Sequence, residues 1–133
     1  MKRRFADTAF YVALANTKEE LYPRAVSYAV LPRLKVVTTE FILIEAANFF
    51  GKPNMREQFT QLVETLRTDR NVQIIPASAD LFQRGLALFA ARPDKEWSLT
   101  DCTSFEVMRD LGLSEALTAD HHFQQAGFIA LLA

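Results

Sequence analysis

The apolar residues of this chain switch repeatedly between short β-branched runs and longer stretches at helical spacing, and that alternation predicts the fold. "MKRRFAD", residues 1–7, reads as a short strand, and "TAFYVALAN" as a helix that begins at Thr8. "EELYPRAVSYAVLPR" has helical spacing and stops around Pro32, and "KVVT" is a β-branched strand. "TEFILIEAANFFG" follows as a helix with Gly51 as its end signal. In "NMREQFTQLVETLRTD" the residues Phe59, Leu62, Val63 and Leu66 share one helical face. "NVQIIP" is a strand stopped by Pro76, and "SADLFQRGLALFAAR" a helix capped by Ser78. "SLTDCTSFEVMRDLG" is a further amphipathic helix, followed by a short strand "EALTA", a helical turn "DHHFQQAG" and a last strand "FIALL".

Strands that alternate with helices imply an α/β fold. The expectation is a three-layer sandwich whose central, mostly parallel sheet of 4–5 strands is flanked by helices. No repeat, low-complexity tract or linker divides the chain, so residues 1–133 are expected to form a single domain. In such sheets ligands bind at the carboxyl ends of the strands, near a change of strand order. Functional residues should therefore lie just after strands or in the helices that begin there. One stretch departs from the pattern. A central parallel strand should be nearly all apolar, yet the first reads "KRRFA". Either its first residues project beyond the sheet, or the fold tolerates basic residues there.

Half of the 133 residues are hydrophobic and 23% are charged, which excludes disorder and supplies a sizeable core. A net charge of -1 excludes a polycation, so any nucleic-acid contact must use local basic patches. The single cysteine, Cys102, cannot form an internal disulfide and reads as a small buried apolar residue, which suits a reducing cytoplasm. The basic start before an apolar run invites a signal-peptide reading. Asp7 interrupts the entry to that run, Lys18, Glu19 and Glu20 close it early, and it is too short to span a bilayer. A cytoplasmic protein with no membrane segment is expected.

Four acids fall where the sheet rule places a site. Asp7 follows the first strand, Asp120 follows "EALTA", Asp101 lies in the first turn of its helix, and Glu45 lies inside "FILIEAANFF". Each has a structural alternative. "SLTD" matches a capping box between Ser98 and Asp101, with Trp97 and Cys102 as its hydrophobic staple. Asp7 could cap the helix that starts at Thr8, and Asp120 the turn that follows it. Capping does not explain Glu45. Its neighbours Phe41, Ile42, Leu43, Ile44, Ala46, Ala47, Phe49 and Phe50 surround the helix, and a helix apolar all round should be buried. An unpaired ionised carboxylate there would cost several kcal/mol, so the alternative is a glutamate held protonated or paired.

Taken together the four acids suggest more. Two carboxylates about 4 Å apart repel by roughly 4 kcal/mol at an effective dielectric near 20, so a pocket of several stays ionised only around a cation. All-oxygen ligation suits a hard ion, Mg2+ or Mn2+. Such an ion can lower the pKa of bound water and orient it for attack on a phosphodiester. His121 and His122 are adjacent in a helical turn and point in different directions, so they read as exposed or packing histidines rather than metal ligands. The acids Glu57, Glu64, Asp69, Asp80, Glu106 and Asp110 read as solvated helix faces. Arg92 and Lys95 precede the Asp101 helix closely enough to contact phosphate, while the other basic residues are spread out.

"FADTAFYVAL", "VTTEFILIEAANFF", "DKEWSLTDCTSFEVMRDLG" and "EALTADHHFQQAGF" resemble, in order, the motifs of PIN-domain proteins, in the compact form of the VapC-type toxin ribonucleases. The resemblance covers nearly the whole chain, and "WSLTDCTSFEVMRDLG" with "LTADHHFQQAGF" is its most specific part. It implies an acidic site of Asp7, Glu45, Asp101 and Asp120, which would bind Mg2+ or Mn2+ and hydrolyse RNA through a metal-activated water. Thr8 and Ser98 match polar positions beside the acids, where they would hold water around the metal. The resemblance also implies a homodimer and a cognate antitoxin protein. Two readings compete with it. One is an inactive PIN-fold protein that binds nucleic acid or a protein partner. The other is a receiver-like phosphoacceptor domain, which needs a late lysine near the site, and no lysine follows Lys95.

Overall fold

The short apolar runs form five strands: β1 (Arg3–Ala6), β2 (Lys35–Thr39), β3 (Val72–Ile75), β4 (Glu115–Leu117) and β5 (Ile129–Ala130). The segments of helical period form α1 (Thr8–Ala15), α2 (Tyr22–Ala29), α3 (Glu40–Ala47), α4 (Arg56–Thr68), α5 (Ala79–Ala91), α6 (Leu99–Asp110) and α7 (His121–Gln125). The computed structural model describes residues 2–133; Met1, which opens the first predicted strand, lies outside the described residues. The strands make one sheet in the order β3-β2-β1-β4-β5, and every pairing is parallel. Helices flank this sheet, as the alternation predicts.

That order locates the functional edge. From the central β1 the chain runs outward through β2 to β3, then crosses back to lay β4 on the other side of β1. The order therefore reverses between β1 and β4, and a crevice forms beyond their carboxyl ends. Phe5 and Ala6 of β1, Val37 of β2, and Ala116 and Leu117 of β4 are fully buried. Against them lie the buried Phe105, Met108, Phe123 and Leu132, with Phe105 edge-on to both Trp97 and Phe123. Cys102 belongs to this core, and burial raises its thiol pKa to about 11, so it is an inert apolar residue as expected.

The basic start of β1 is accommodated at the rim. Arg3 and Arg4 do stand in the ladder, opposite Lys35 and Val36. Arg3 is exposed and donates to Gln73, while Arg4 pairs with Glu115 at 3.0 Å, as Lys2 does at 3.3 Å. Only Phe5 and Ala6 carry the apolar requirement of a central strand. Several predicted elements prove shorter. β4 stops after three residues, where Thr118 turns the chain with its N–H bonding the Ala116 carbonyl at 3.0 Å, and β5 is two residues long. α3 ends at Ala47, continues as a 3-10 turn over Asn48–Phe50, and reaches Gly51 at φ -71. Gly51 is thus no left-handed terminator; that role falls to Gly112 and Gly127, at φ 65 and 95, after α6 and α7.

The helix that carries Asp101 is fixed by a close approach. A Cβ on Gly85 of α5 would stand 2.6 Å from Thr103 Cγ2 and 3.2 Å from the Thr103 backbone nitrogen. Thr103 is buried, and its hydroxyl donates to the Thr100 carbonyl at 2.6 Å, so its methyl cannot swing away without losing that bond. Gly85→Ala is expected to cost about 1–3 kcal/mol by overpacking, which exceeds the ~1 kcal/mol that alanine gains in helix propensity. Thermal unfolding checks this, and an unchanged midpoint would show that α5 slides freely on α6.

Candidate functional site

Each strand end at the crevice delivers a polar group. Asp7 follows β1 and is the N-cap of α1 by backbone position, but its side chain makes no capping bond. Its Oδ2 instead accepts from the buried Thr118 hydroxyl at 2.7 Å, just beyond β4. The same Thr118 oxygen accepts from the Asp120 N–H at 3.1 Å, which ties the two acids across β1 and β4. Asp120 does cap α7, with Oδ1 accepting from the His122 N–H at 2.9 Å.

Glu45 and Asp101 arrive from helices. Thr39, at the end of β2, caps α3 through a 3.0 Å bond from Ile42 N–H. Glu45 lies further along α3 and accepts from the Thr8 hydroxyl through Oε1. The expectation of a helix buried all round does not hold: Ile44 is 62% and Phe49 58% exposed, and Glu45 itself is half-buried. The apolar residues divide between the core and an outward face, which periodicity could not reveal in a helix apolar on every side. Asp101 forms the predicted capping box, with Ser98 Oγ accepting from the Asp101 N–H at 2.9 Å and Asp101 Oδ2 from the Ser98 N–H at 3.1 Å. The same Oδ2 lies 3.1 Å from His122 Nδ1.

The four predicted acids lie near the β1/β4 switch point, close enough for the charges of Asp101 and Glu45 to act on Asp7 and that of Asp120 on Asp101. In each, at least one carboxylate oxygen accepts from a protein donor. A cleft of about 410 Å3 opens here, lined among others by Asp7, Thr8, Glu45, Phe49 and Asp120 but not by Asp101. Burial pushes the Asp7 carboxyl up to about 7, against the Thr118 hydroxyl that favours the anion, and the charges of Asp101 and Glu45 add to the rise. Burial also raises Asp101, helped by the charge of Asp120 and opposed by its bond from Ser98 and by His122. Such a cluster of like charges is relieved by protons or by a cation. The donor set is carboxylate oxygens, with the His121 and His122 ring nitrogens beside Asp120 and no thiolate, and it fits a divalent ion such as Mg2+ or Mn2+.

The supporting residues divide. Thr8 holds Glu45, and Ser98 holds Asp101, so both act on the acids directly. Arg92 is bound to Asp94 by two 3.0 Å bonds and lies over the Trp97 ring at 5.0 Å. Neither Arg92 nor Lys95 lines the cleft. Glu106 and Asp110, expected on a solvated face, join Arg84 in an ion-pair network with Asp80 that links α5 to α6.

Two site residues were not singled out from sequence. Thr118 is one; its signal was a hydroxyl two residues before an acid at a strand end. His122 is the other. The reading as exposed or packing histidines rather than metal ligands does not hold. The His121 side chain is 70% exposed, but its Nδ1 lies 3.7 Å from Asp120 Oδ1, and the His122 ring touches both Asp101 and Asp120. The ligand atoms of Asp120, His121 and His122 lie within 4.8 Å of one another, close enough to hold a metal ion. Thr118→Val keeps the shape and removes the donor, and is expected to cost about 1–3 kcal/mol, the penalty for a buried acceptor left unpaired. Urea unfolding at pH 8, with Thr118→Ser as the variant that retains stability, checks this; equal stability of all three proteins would dismiss the bond.

Comparison with known proteins gives a consistent picture. No family model matches the chain. The 23S rRNA-specific endonuclease VapC20 of Mycobacterium tuberculosis, from strains CDC 1551 / Oshkosh and ATCC 25618 / H37Rv, is 26% identical over 125 residues, covering 94% of this chain and 95% of the relative. The crystal structure of Mycobacterium tuberculosis VapC20, described as a Sarcin-Ricin loop cleaving toxin, matches with a TM-score of 0.81 at 27% identity, over 94% of this chain and 95% of that one.

Proposed function

We propose that this chain, which is similar to VapC20 over 94% of its length, is a VapC-type PIN-domain protein, a divalent-cation-dependent endoribonuclease and the toxin of a toxin–antitoxin pair. The observation that carries the reading is the convergence of Asp7, Glu45, Asp101 and Asp120 at the β1/β4 switch point, each steadied by a neighbouring donor.

Asp7, Glu45, Asp101 and Asp120 would hold Mg2+ or Mn2+. The bound ion would supply charge neutralisation at the phosphate, polarisation of its oxygens and activation of water. The chain's own residues do the rest. Thr118 and Thr8 keep Asp7 and Glu45 in place, and the capping box keeps Asp101 pointed at the strand ends. Without a cation the carboxylates would repel an RNA phosphate, so binding of substrate and ion are coupled. Phe49, exposed at the wall of the cleft, presents an aromatic face on which an unpaired base can stack.

Partners follow from the same premise: RNA, a cognate antitoxin protein and a second copy of the chain. Phe82, Leu86 and Phe89, exposed at helical spacing along α5, support a homodimer. No described helix is long and apolar enough to cross a membrane, and the proposed place of action is the cytoplasm. The 23S rRNA target of the relative makes ribosomal RNA the first substrate to try. The purified protein is expected to cut RNA at defined sites with Mg2+ or Mn2+, to stop when the ion is chelated, and to resume when it is restored. Cleavage indifferent to chelation, or none with either ion on ribosomal or total RNA, would remove the proposal.

A further inference from the structure

We propose that His122 is a positioning residue of this centre, whose Nδ1–H joins Asp101 to Asp120 and so decides which carboxylate oxygens face the cation. The inference rests on the ribonuclease reading only for its catalytic consequence. His122 Nδ1 lies 3.1 Å from Asp101 Oδ2 and 3.2 Å from Asp120 Oδ1. With Asp101 and Asp120 ionised, two carboxylate oxygens so close to one ring nitrogen call for a proton on that nitrogen, because a lone pair there would face two acceptors. The ring is therefore held as the Nδ1–H form, whichever of the two oxygens takes the stronger bond.

The connection spans separate elements. Asp101 comes from the first turn of α6 and Asp120 from the start of α7, and their charges oppose one another. His122 grips Asp120 twice, by its backbone N–H at 2.9 Å and by its ring, and reaches across to Asp101 with the ring alone. Asp101 Oδ2 is then engaged by both the Ser98 N–H and the imidazole, which leaves Oδ1 for the ion. The His121 ring lies beside the His122 ring, at 4.4 Å between centroids. The arrangement matches the second layer of a metal site, where a donor orients a ligand without binding the metal.

Mn2+ binding by calorimetry tests the role without depending on catalysis. His122→Ala is expected to weaken Mn2+ binding by about ten- to a hundredfold. An asparagine amide can stand near the place of Nδ1, and a glutamine amide near that of Nε2. His122→Asn is therefore expected to stay close to native affinity, while His122→Gln falls with the alanine variant. In the metal-free native protein, nitrogen-15 NMR is expected to show the His122 proton on Nδ1, a readout that needs no variant to fold. Native Mn2+ affinity in His122→Ala, equal loss in the asparagine and alanine variants, or an Nε2–H ring would each overturn the inference. A native protein that binds Mn2+ but cuts no RNA would end the ribonuclease reading and leave this one standing.

Discussion

Asparagine in place of Asp7 is expected to stabilise the metal-free protein above pH 7 by up to roughly 4 kcal/mol while abolishing its action on RNA. Asp7 is 5% exposed, and burial raises its carboxyl from 3.8 to about 7. Between those values the folded chain binds more protons at this site than the unfolded chain does. Stability of the metal-free protein therefore falls as pH rises from about 4 to about 7, then levels off. An amide cannot ionise, so the variant escapes that loss and still accepts from the Thr118 hydroxyl. The gain corresponds to a melting temperature higher by on the order of 10 °C at pH 8. Mn2+ should raise the native midpoint strongly at pH 8 and little at pH 5, because the ion must compete with the proton. Melting curves across pH 4–9 check all of this. A native protein with a pH-independent midpoint, or a variant less stable at pH 8, would contradict the burial argument.

Asp101→Asn is expected to lower cation-dependent RNA cleavage by more than about a hundredfold, beyond the usual effect of losing a residue that only orients a ligand. Asp101 Oδ2 carries two donors, from Ser98 and His122. If the amide oxygen of asparagine keeps both bonds, its NH2 group turns toward the cation. If it turns the other way, the NH2 group faces two donors and the capping box opens. Either arrangement costs the ion one ligand. The fold is expected to survive, since losing an acid in the first turn costs about 0.3–1 kcal/mol and the buried charge disappears with it. Initial rates at saturating Mn2+, with circular dichroism as the control for folding, decide the matter; native rates in a homogeneous variant would take Asp101 out of the centre.

How much of this was legible beforehand differs from residue to residue. The alternation of short β-branched runs with longer stretches at helical spacing found every strand and helix, because both are local signals in the chain. Element ends were less legible, since β4 stops where the Thr118 N–H turns back to Ala116. For Asp7, sequence left capping and site as equal options, because both need an acid at the same position. The structure separates them: the backbone is at the cap while the carboxylate bonds Thr118, 111 residues away. Asp101 shows the two options are compatible, since one oxygen completes the capping box and the other remains. Glu45 was selected for a burial that its helix only partly has, yet it meets Thr8 on the side that faces α1. Thr118 and His122 depend on contacts between β1, β4, α6 and α7, and no local spacing encodes such contacts.

The central claim is that Asp7, Glu45, Asp101 and Asp120 together hold a divalent cation. Anomalous scattering from crystals grown with Mn2+ tests it most directly. The account predicts a peak at the carboxyl ends of β1 and β4, within ligand distance of the second oxygens of these four side chains. A saturated crystal with no peak there, or with its strongest peak elsewhere on the molecule, would contradict it.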